Sequence, residues 1–194
     1  MRRLIPTLAA AMVAASASAQ STPAATPAAP PAAAPAQLAG PPCANPEFRQ
    51  LDFWVGEWDL EFTQADGSIG RAENRITKDE YGACVIAEHF RQPGGNADGR
   101  DYVGTSHSTY DVQTKSWRQT WVDNGGSWFD LRGGPVAGQK HVFEFVNLEP
   151  RGPAGLSMRM IWEEVTPNSL VWRWQAKQGE AWQDRWVLRY RRKA

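Results

Sequence analysis

Ten short segments in which apolar and polar residues alternate, parted by a few residues rich in Gly, Pro, Asn or Asp, leave this chain few choices of fold. The first segment is the plainest. Trp58, Leu60 and Phe62 alternate with Asp59, Glu61 and Thr63, a period of two that puts every second side chain on one face of a strand. It follows Leu51-Asp52-Phe53-Trp54-Val55-Gly56-Glu57, where Gly56 permits a sharp turn and Trp58 can plug one end of whatever the strand helps to enclose. Further segments follow at about 71–78, 83–91, 102–111, 117–123, 128–132, 141–147, 156–165, 170–177 and 182–192. The breaks between them include Ala65-Asp66-Gly67, Asn124-Gly125-Gly126, Gly133-Gly134-Pro135, Arg151-Gly152-Pro153 and Thr166-Pro167-Asn168-Ser169, all turn chemistry. Strands joined by hairpin-length turns make an antiparallel meander. Ten of them in an open sheet would expose two long edges, and closure into a barrel removes both. No long Greek-key connection is visible, so an all-β, closed, up-and-down antiparallel barrel of about ten strands is expected in preference to a two-sheet sandwich. A barrel wider than eight strands should hold a cavity. Asn45-Pro46-Glu47 supplies a cap, a first-position proline and an acid, which predicts one or two turns of helix against one barrel end.

The residues before this pattern belong to a different class. Arg2 and Arg3 precede the apolar run from Leu8 to Ala14, and Ala17-Ser18-Ala19 offers a small-residue cleavage site before Gln20. Residues 1–19 thus read as a secretory signal peptide, too short to span a bilayer as a mature helix. Cys43 follows Pro41-Pro42 and does not adjoin the cleavage site, which argues against a lipid anchor. Residues 20–42 are almost wholly Ala, Pro, Thr and Ser, a spacer with little to bury. The remaining 43–194 has the size of one domain, expected in a periplasm or outside the cell. Without the signal peptide nineteen basic residues face twenty-one acidic ones, which gives no electrostatic case for nucleic acid or an anionic membrane.

Cys43 and Cys84 are the only cysteines. In an oxidising compartment they are a disulfide candidate, and closing that loop would stabilise the fold by on the order of 4 kcal/mol in the chain-entropy model. Two unpaired thiols are the alternative, since spacing alone does not bring Cα atoms together.

Strand parity then assigns side chains to the interior; the second and fourth segments alternate weakly, and a slip of one residue there would invert their sets. The apolar faces give Trp58, Leu60 and Phe62, then Ala72, Asn74 and Ile76, then Ile86, Glu88 and Phe90. The middle segments add Ser106, Ser108 and Tyr110 with Trp117, Gln119, Trp121 and Asp123. The later ones are mostly apolar and aromatic, with Trp162, Trp172, Trp174 and Trp186 among them. An apolar wall facing a few polar groups suits a small-molecule pocket. All ten tryptophans lie in this domain. The inward carboxylate Glu88 would have a raised pKa and could serve as acid, base or ligand anchor, or it could sit in a structural network with Arg75 or a neighbouring serine. Tyr110 and Gln119 could orient a ligand or satisfy each other. Asp123, before Asn124-Gly125-Gly126, reads as a turn-stabilising acid.

No pair among His89, His107 and His141 has metal-ligand spacing, so no metal site is expected. Gly104-Thr105-Ser106-His107-Ser108 lacks the last glycine of a nucleophile elbow and lies along a strand. Phosphate loops, dinucleotide fingerprints and zincin helices are absent from the sequence.

The Gly56-Glu57-Trp58 opening and the aromatic, arginine-bearing last segment resemble the calycin superfamily, the lipocalins and their relatives. In that group the tryptophan packs under an arginine from the final strand. Trp186, Leu188, Tyr190 and Arg192 share one parity, so Arg192 is the candidate cation over Trp58. A bacterial lipocalin-like family of unknown function is similar in more places: Leu51-Asp52-Phe53-Trp54-x-Gly56-Glu57-Trp58, Gly104-Thr105-Ser106, Tyr110-Asp111, Trp117 to Asp123 and Tyr190-x-Arg192. The resemblance implies the fold and leaves function open. A haem-binding relative uses a histidine from the C-terminal part of the barrel, but no histidine follows His141, so no cofactor is expected.

The expectation is therefore an exported barrel that binds a small, largely apolar or aromatic molecule. Trp121, Trp162, Trp172 and Trp174 would form its walls, with Glu88, Ser106, Tyr110 and Gln119 setting orientation. A cofactor-independent lyase or isomerase using Glu88 and Tyr110 is the first alternative. An envelope interaction module with a filled core is the second.

Overall fold

Alternation along the chain becomes a closed ring of strands in the computed structural model, which describes residues 43–78, 83–139, 142–149 and 155–194. The expected signal peptide and spacer lie outside the described residues, as do His141 and Arg151-Gly152-Pro153. Ten strands follow in order: β1 (Gly56–Thr63), β2 (Ile69–Thr77), β3 (Val85–Gln92), β4 (Tyr102–Asp111), β5 (Ser116–Asp123), β6 (Trp128–Pro135), β7 (Phe143–Asn147), β8 (Met158–Glu163), β9 (Ser169–Gln178) and β10 (Ala181–Arg192). Each is hydrogen-bonded to its sequence neighbours, and β1 pairs with β10 to close the barrel. The meander leaves no free sheet edge. Among the described residues no helix is long and apolar enough to cross a membrane.

Burial follows the expected parity on the first two strands, while Ala87, Ile161 and Val171 are buried on the other face of theirs. Along β1 only Trp58, Leu60 and Phe62 are buried, and along β2 Gly70, Ala72, Asn74 and Ile76. Ile86, Glu88 and Phe90 are buried on β3, Ser106 and Ser108 on β4. β10 departs from simple alternation. Its register against β9 shifts between Asp184 and Trp186, a bulge whose extra residue reverses the side-chain faces on either side of it. Trp186, Leu188 and Tyr190 consequently join the core and its lining. Trp182 lies under the Arg159 guanidinium, 4.3 Å from the ring centre.

One end of the barrel is plugged. In place of a continuous helix there are two single 3-10 turns, Pro46–Arg49 and Asp52–Trp54, and Asn45 makes no side-chain cap bond. They bury Phe48, Leu51 and Trp54. Polar groups on the barrel hold them: Lys78 donates to the Phe48 carbonyl at 2.6 Å and pairs with Asp52, and Trp117 Nε1 donates to Gln50 Oε1 at 2.9 Å. Cys43 and Cys84 form the disulfide, with Cα atoms 5.0 Å apart, so the start of the domain is tied to the chain just ahead of β3.

The same end carries the seam. Arg192 lies 4.1 Å above the Trp58 ring. It donates to the carbonyls of Val55 (2.8 Å), Phe53 (3.1 Å) and Pro167 (2.8 Å). Gly56, at φ 141°, is what lets the guanidinium in, because a Cβ there would stand 2.0 Å from Arg192 Nη1. Trp58 Nε1 in turn donates to the Trp54 carbonyl at 2.8 Å.

Candidate functional site

Away from the plug the interior opens. A cavity of about 240 Å³ runs from Trp54, Glu88 and Tyr190 towards Tyr102, Asp123 and Ser127 at the strand ends. An apolar cavity of about 150 Å³ already admits benzene, so this one has room for a somewhat larger ring system. The volume exists because the tryptophans divide by environment. Trp58, Trp117 and Trp162 are fully buried in the core, Trp54 forms the floor, and Trp121, Trp172, Trp174 and Trp186 are partly exposed along the cavity wall. Trp172 and Trp174 stand with ring planes 4° apart and centroids 6.2 Å apart, and Trp186 meets Trp172 at 89°. Phe129 stands edge-on to Trp174, and Phe90 edge-on to Trp186.

Gly104 places one wall. A Cβ at that position would fall 2.1 Å from the Trp121 ring, so the indole lies across the β4 backbone, and its Nε1 donates to Asp123 Oδ2 at 2.9 Å. Asp123 also accepts from Tyr102 OH at 2.8 Å and from the backbone N–H groups of Gly125 and Ser127. It therefore orders the β5–β6 turn, as its sequence context suggested, and lines the mouth as well. Partial burial works to raise its pKa, but the bonds from Trp121, Ser127 and Tyr102 outweigh burial and hold it below the usual carboxylate value.

Glu88 is the polar centre of the floor. Asn74 Nδ2 donates to its Oε1 at 2.7 Å and Ser106 Oγ to its Oε2 at 2.6 Å, while Asn74 also donates to Tyr190 OH at 2.9 Å. No lysine, arginine or histidine forms an ion pair with Glu88 among the described residues; Arg75, the cation considered for that role, is on the exposed face of β2. Burial drives the Glu88 pKa up to about 7 against the two hydrogen bonds, which favour the charged form. Tyr190, buried beside it, is raised by burial and then by the Glu88 charge.

A folded-state pKa above the unfolded one fixes the sign of a stability effect. The folded protein binds this proton more tightly, so the contribution is fully present below the unfolded value of 4.5 and is lost as pH rises through about 7. The shift is worth about 3 kcal/mol. Urea unfolding at pH 5 and pH 8 is expected to show the barrel less stable at pH 8, and Glu88→Gln to lose most of that difference. Equal pH dependence in both proteins would refute the assignment.

Of the residues singled out by sequence, Glu88, Gln119, Trp121, Trp172 and Trp174 meet on the cavity wall. Ser106 stands behind Glu88 as its hydrogen-bond donor. Gln119 gives its Nε2 to Ser108 Oγ at 2.9 Å and makes no bond to Tyr110. Tyr110 and Trp162 are placed elsewhere. Tyr110 lies towards the plugged end, edge-on to Phe48 and Trp117, and Trp162 is buried against Trp54 and Phe145. Tyr102, Trp186, Phe129 and Tyr190 line the cavity without having been named as ligand contacts. Tyr102 shares parity with Ser106, which was the available signal for it. Among the described residues no group of His, Cys, Asp and Glu is arranged to hold a metal ion.

No protein-family model matches the chain, and no curated protein matches it. Among solved structures, similarity is found to a redesigned β-barrel, at 9% identity over 75% of this chain and 96% of that one, with a TM-score of 0.37. Similarity is also found to Rv2717c from M. tuberculosis, at 15% identity over 77% of this chain and 99% of that one, with a TM-score of 0.49. Neither likeness bears on what the barrel does.

Proposed function

We propose that this barrel binds a small, largely apolar or aromatic molecule, held between Trp121, Trp172, Trp174 and Trp186 and oriented by Glu88 and Gln119. The carrying observation is an open-mouthed cavity with indole walls and one buried carboxyl group at its floor, the composition of a small-molecule site. The same cavity weighs against a filled interaction module. The disulfide is in keeping with export to an oxidising compartment. Arg192 over Trp58, with Gly56 beside them, is in keeping with kinship to the calycins.

A second reading makes Glu88 the acid or base of a lyase or isomerase, since a carboxyl near pKa 7 suits proton transfer at neutral pH. Tyr110 is too remote to be its partner, so Tyr190 would have to take that place.

The test is native mass spectrometry of the secreted protein, followed by calorimetric titration with neutral aromatic and long-chain probes. The expected result is a co-purified small molecule, or a neutral aromatic bound with Kd below about 100 μM, within reach of a ligand of about ten heavy atoms. An empty protein indifferent to every probe would refute the reading. Conversion of a bound molecule, lost in Glu88→Gln, would favour the enzyme.

A further inference from the structure

The cavity is electrostatically one-sided. Among the described residues its lining holds two carboxyl groups, Glu88 at the floor and Asp123 at the mouth, and no lysine, arginine or histidine. Its N–H donors are neutral. Trp54 Nε1 makes no hydrogen bond of normal geometry but lies close enough to Tyr190 to act on its hydroxyl, and Gln119 gives one amide N–H to Ser108. Each Glu88 oxygen accepts one bond, from Asn74 or Ser106, and a carboxylate oxygen can accept a second.

The groups packed around Glu88 reinforce this. From β2 it is met by Asn74 and from β4 by Ser106, neither of which titrates. The titratable neighbours are Tyr190 on β10 and Tyr102 on β4, both raised by burial first and by nearby acids after it, and so neutral. A carboxylate ligand would meet like charge at both ends of the cavity. A neutral hydrocarbon would leave the remaining acceptor positions of Glu88 unfilled. A cation would find a carboxylate below it and indole faces beside it, whose negative π surfaces attract positive charge. Trp172, Trp174 and Trp186 line this one volume, the first two with parallel rings and the third at right angles to Trp172.

From this geometry we infer that the ligand is an organic cation, a protonated amine on an aromatic or apolar body, with its N–H groups on Glu88 and its ring among the tryptophans. The inference rests on the small-molecule reading above and names the chemical class for that site.

Calorimetry with a matched set separates the two ideas: 2-(2-naphthyl)ethylamine, neutral 2-ethylnaphthalene and anionic 2-naphthylacetate, each at pH 5.5 and pH 8. At pH 8 the amine should bind at least about tenfold tighter than the neutral compound, with the carboxylate weakest. The alkylammonium keeps its charge at both pH values, whereas Glu88, with its pKa about 7, takes up a proton at the lower one. The advantage of the amine should therefore shrink by about tenfold or more at pH 5.5. In Glu88→Gln, with its fold checked by near-UV circular dichroism, the amine-to-neutral ratio should fall towards one and lose its pH dependence. If that variant does not fold, the wild-type pH pair decides.

Equal affinity for all three compounds would overturn the inference and leave the binding reading standing. Tightest binding of the carboxylate, strongest at pH 5.5, would also overturn it, because Glu88 would then be acting as a protonated donor. Failure of all three to bind would overturn both.

Discussion

Replacing Gly133 with alanine is expected to cost more than about 5 kcal/mol, most of the stability of a domain this size, and to leave little folded protein at 37 °C. A Cβ at this position would stand 1.8 Å from the Glu144 carbonyl oxygen and 2.7 Å from Phe145 Cα. Those are backbone atoms of β7, and Gly133 is paired with Phe145 in the ladder. A methyl group enters only if β6 and β7 part, which breaks the ring. Gly70 offers the contrast. There the obstruction is the Phe62 ring at 2.4 Å, a side chain that can change rotamer, so Gly70→Ala should cost far less. Urea unfolding followed by tryptophan fluorescence measures both. A Gly133→Ala midpoint close to wild type would show that β7 yields and the close approach is not required.

Removing the Arg192 side chain should come next, at about 4 kcal/mol for Arg192→Ala. Three carbonyls, from Phe53, Val55 and Pro167, lose a charge-assisted donor, and bonds of that kind contribute about 1.5–3 kcal/mol each where shielded from water. Screening by solvent discounts the sum, since the side chain is only partly buried. Trp58 loses the cation on its face, worth about 1 kcal/mol. Arg192→Lys keeps the charge but has no planar fork to reach three acceptors, and should recover less than half of the loss. Full recovery by lysine would mean that charge alone matters at this position, and would undo the geometric account.

Architecture was readable because each strand carried its own evidence. β1 alternates without a fault, and β9 brings Trp172 and Trp174 two residues apart; one buried face then fixes register, since a slip of one residue would turn the indoles outward. The helix before Gly56 was less legible. Pro46 and Glu47 signal a start, but the plug must cap a round opening within a few residues, and two 3-10 turns do so where a continuous helix would overshoot. For the site, parity gave the correct face and no depth. Tyr110 and Tyr102 lie on the same face of one strand, yet Tyr102 is at the open end and Tyr110 at the plugged end. Trp162 and Trp172 are cross-strand partners, and only the second reaches the void. Which end is stoppered depends on how residues 43–55 fold back, and alternation carries no record of that.

The seam between β1 and β10 also bears on how the molecule comes into being. Arg192 and Val55 are 137 residues apart in the chain, and each is among the first or last parts of the domain to be made. Until the C-terminal strand is complete, β1 has one unpaired side and its wall of large apolar residues faces no partner. Closure is a long-range event, the kind that slows folding because loop entropy is lost before contacts repay it. Any sheet formed before that point would have two unpaired borders. A premature stop anywhere in the final strand would leave it in that state, with the cationic clasp on Trp58 missing.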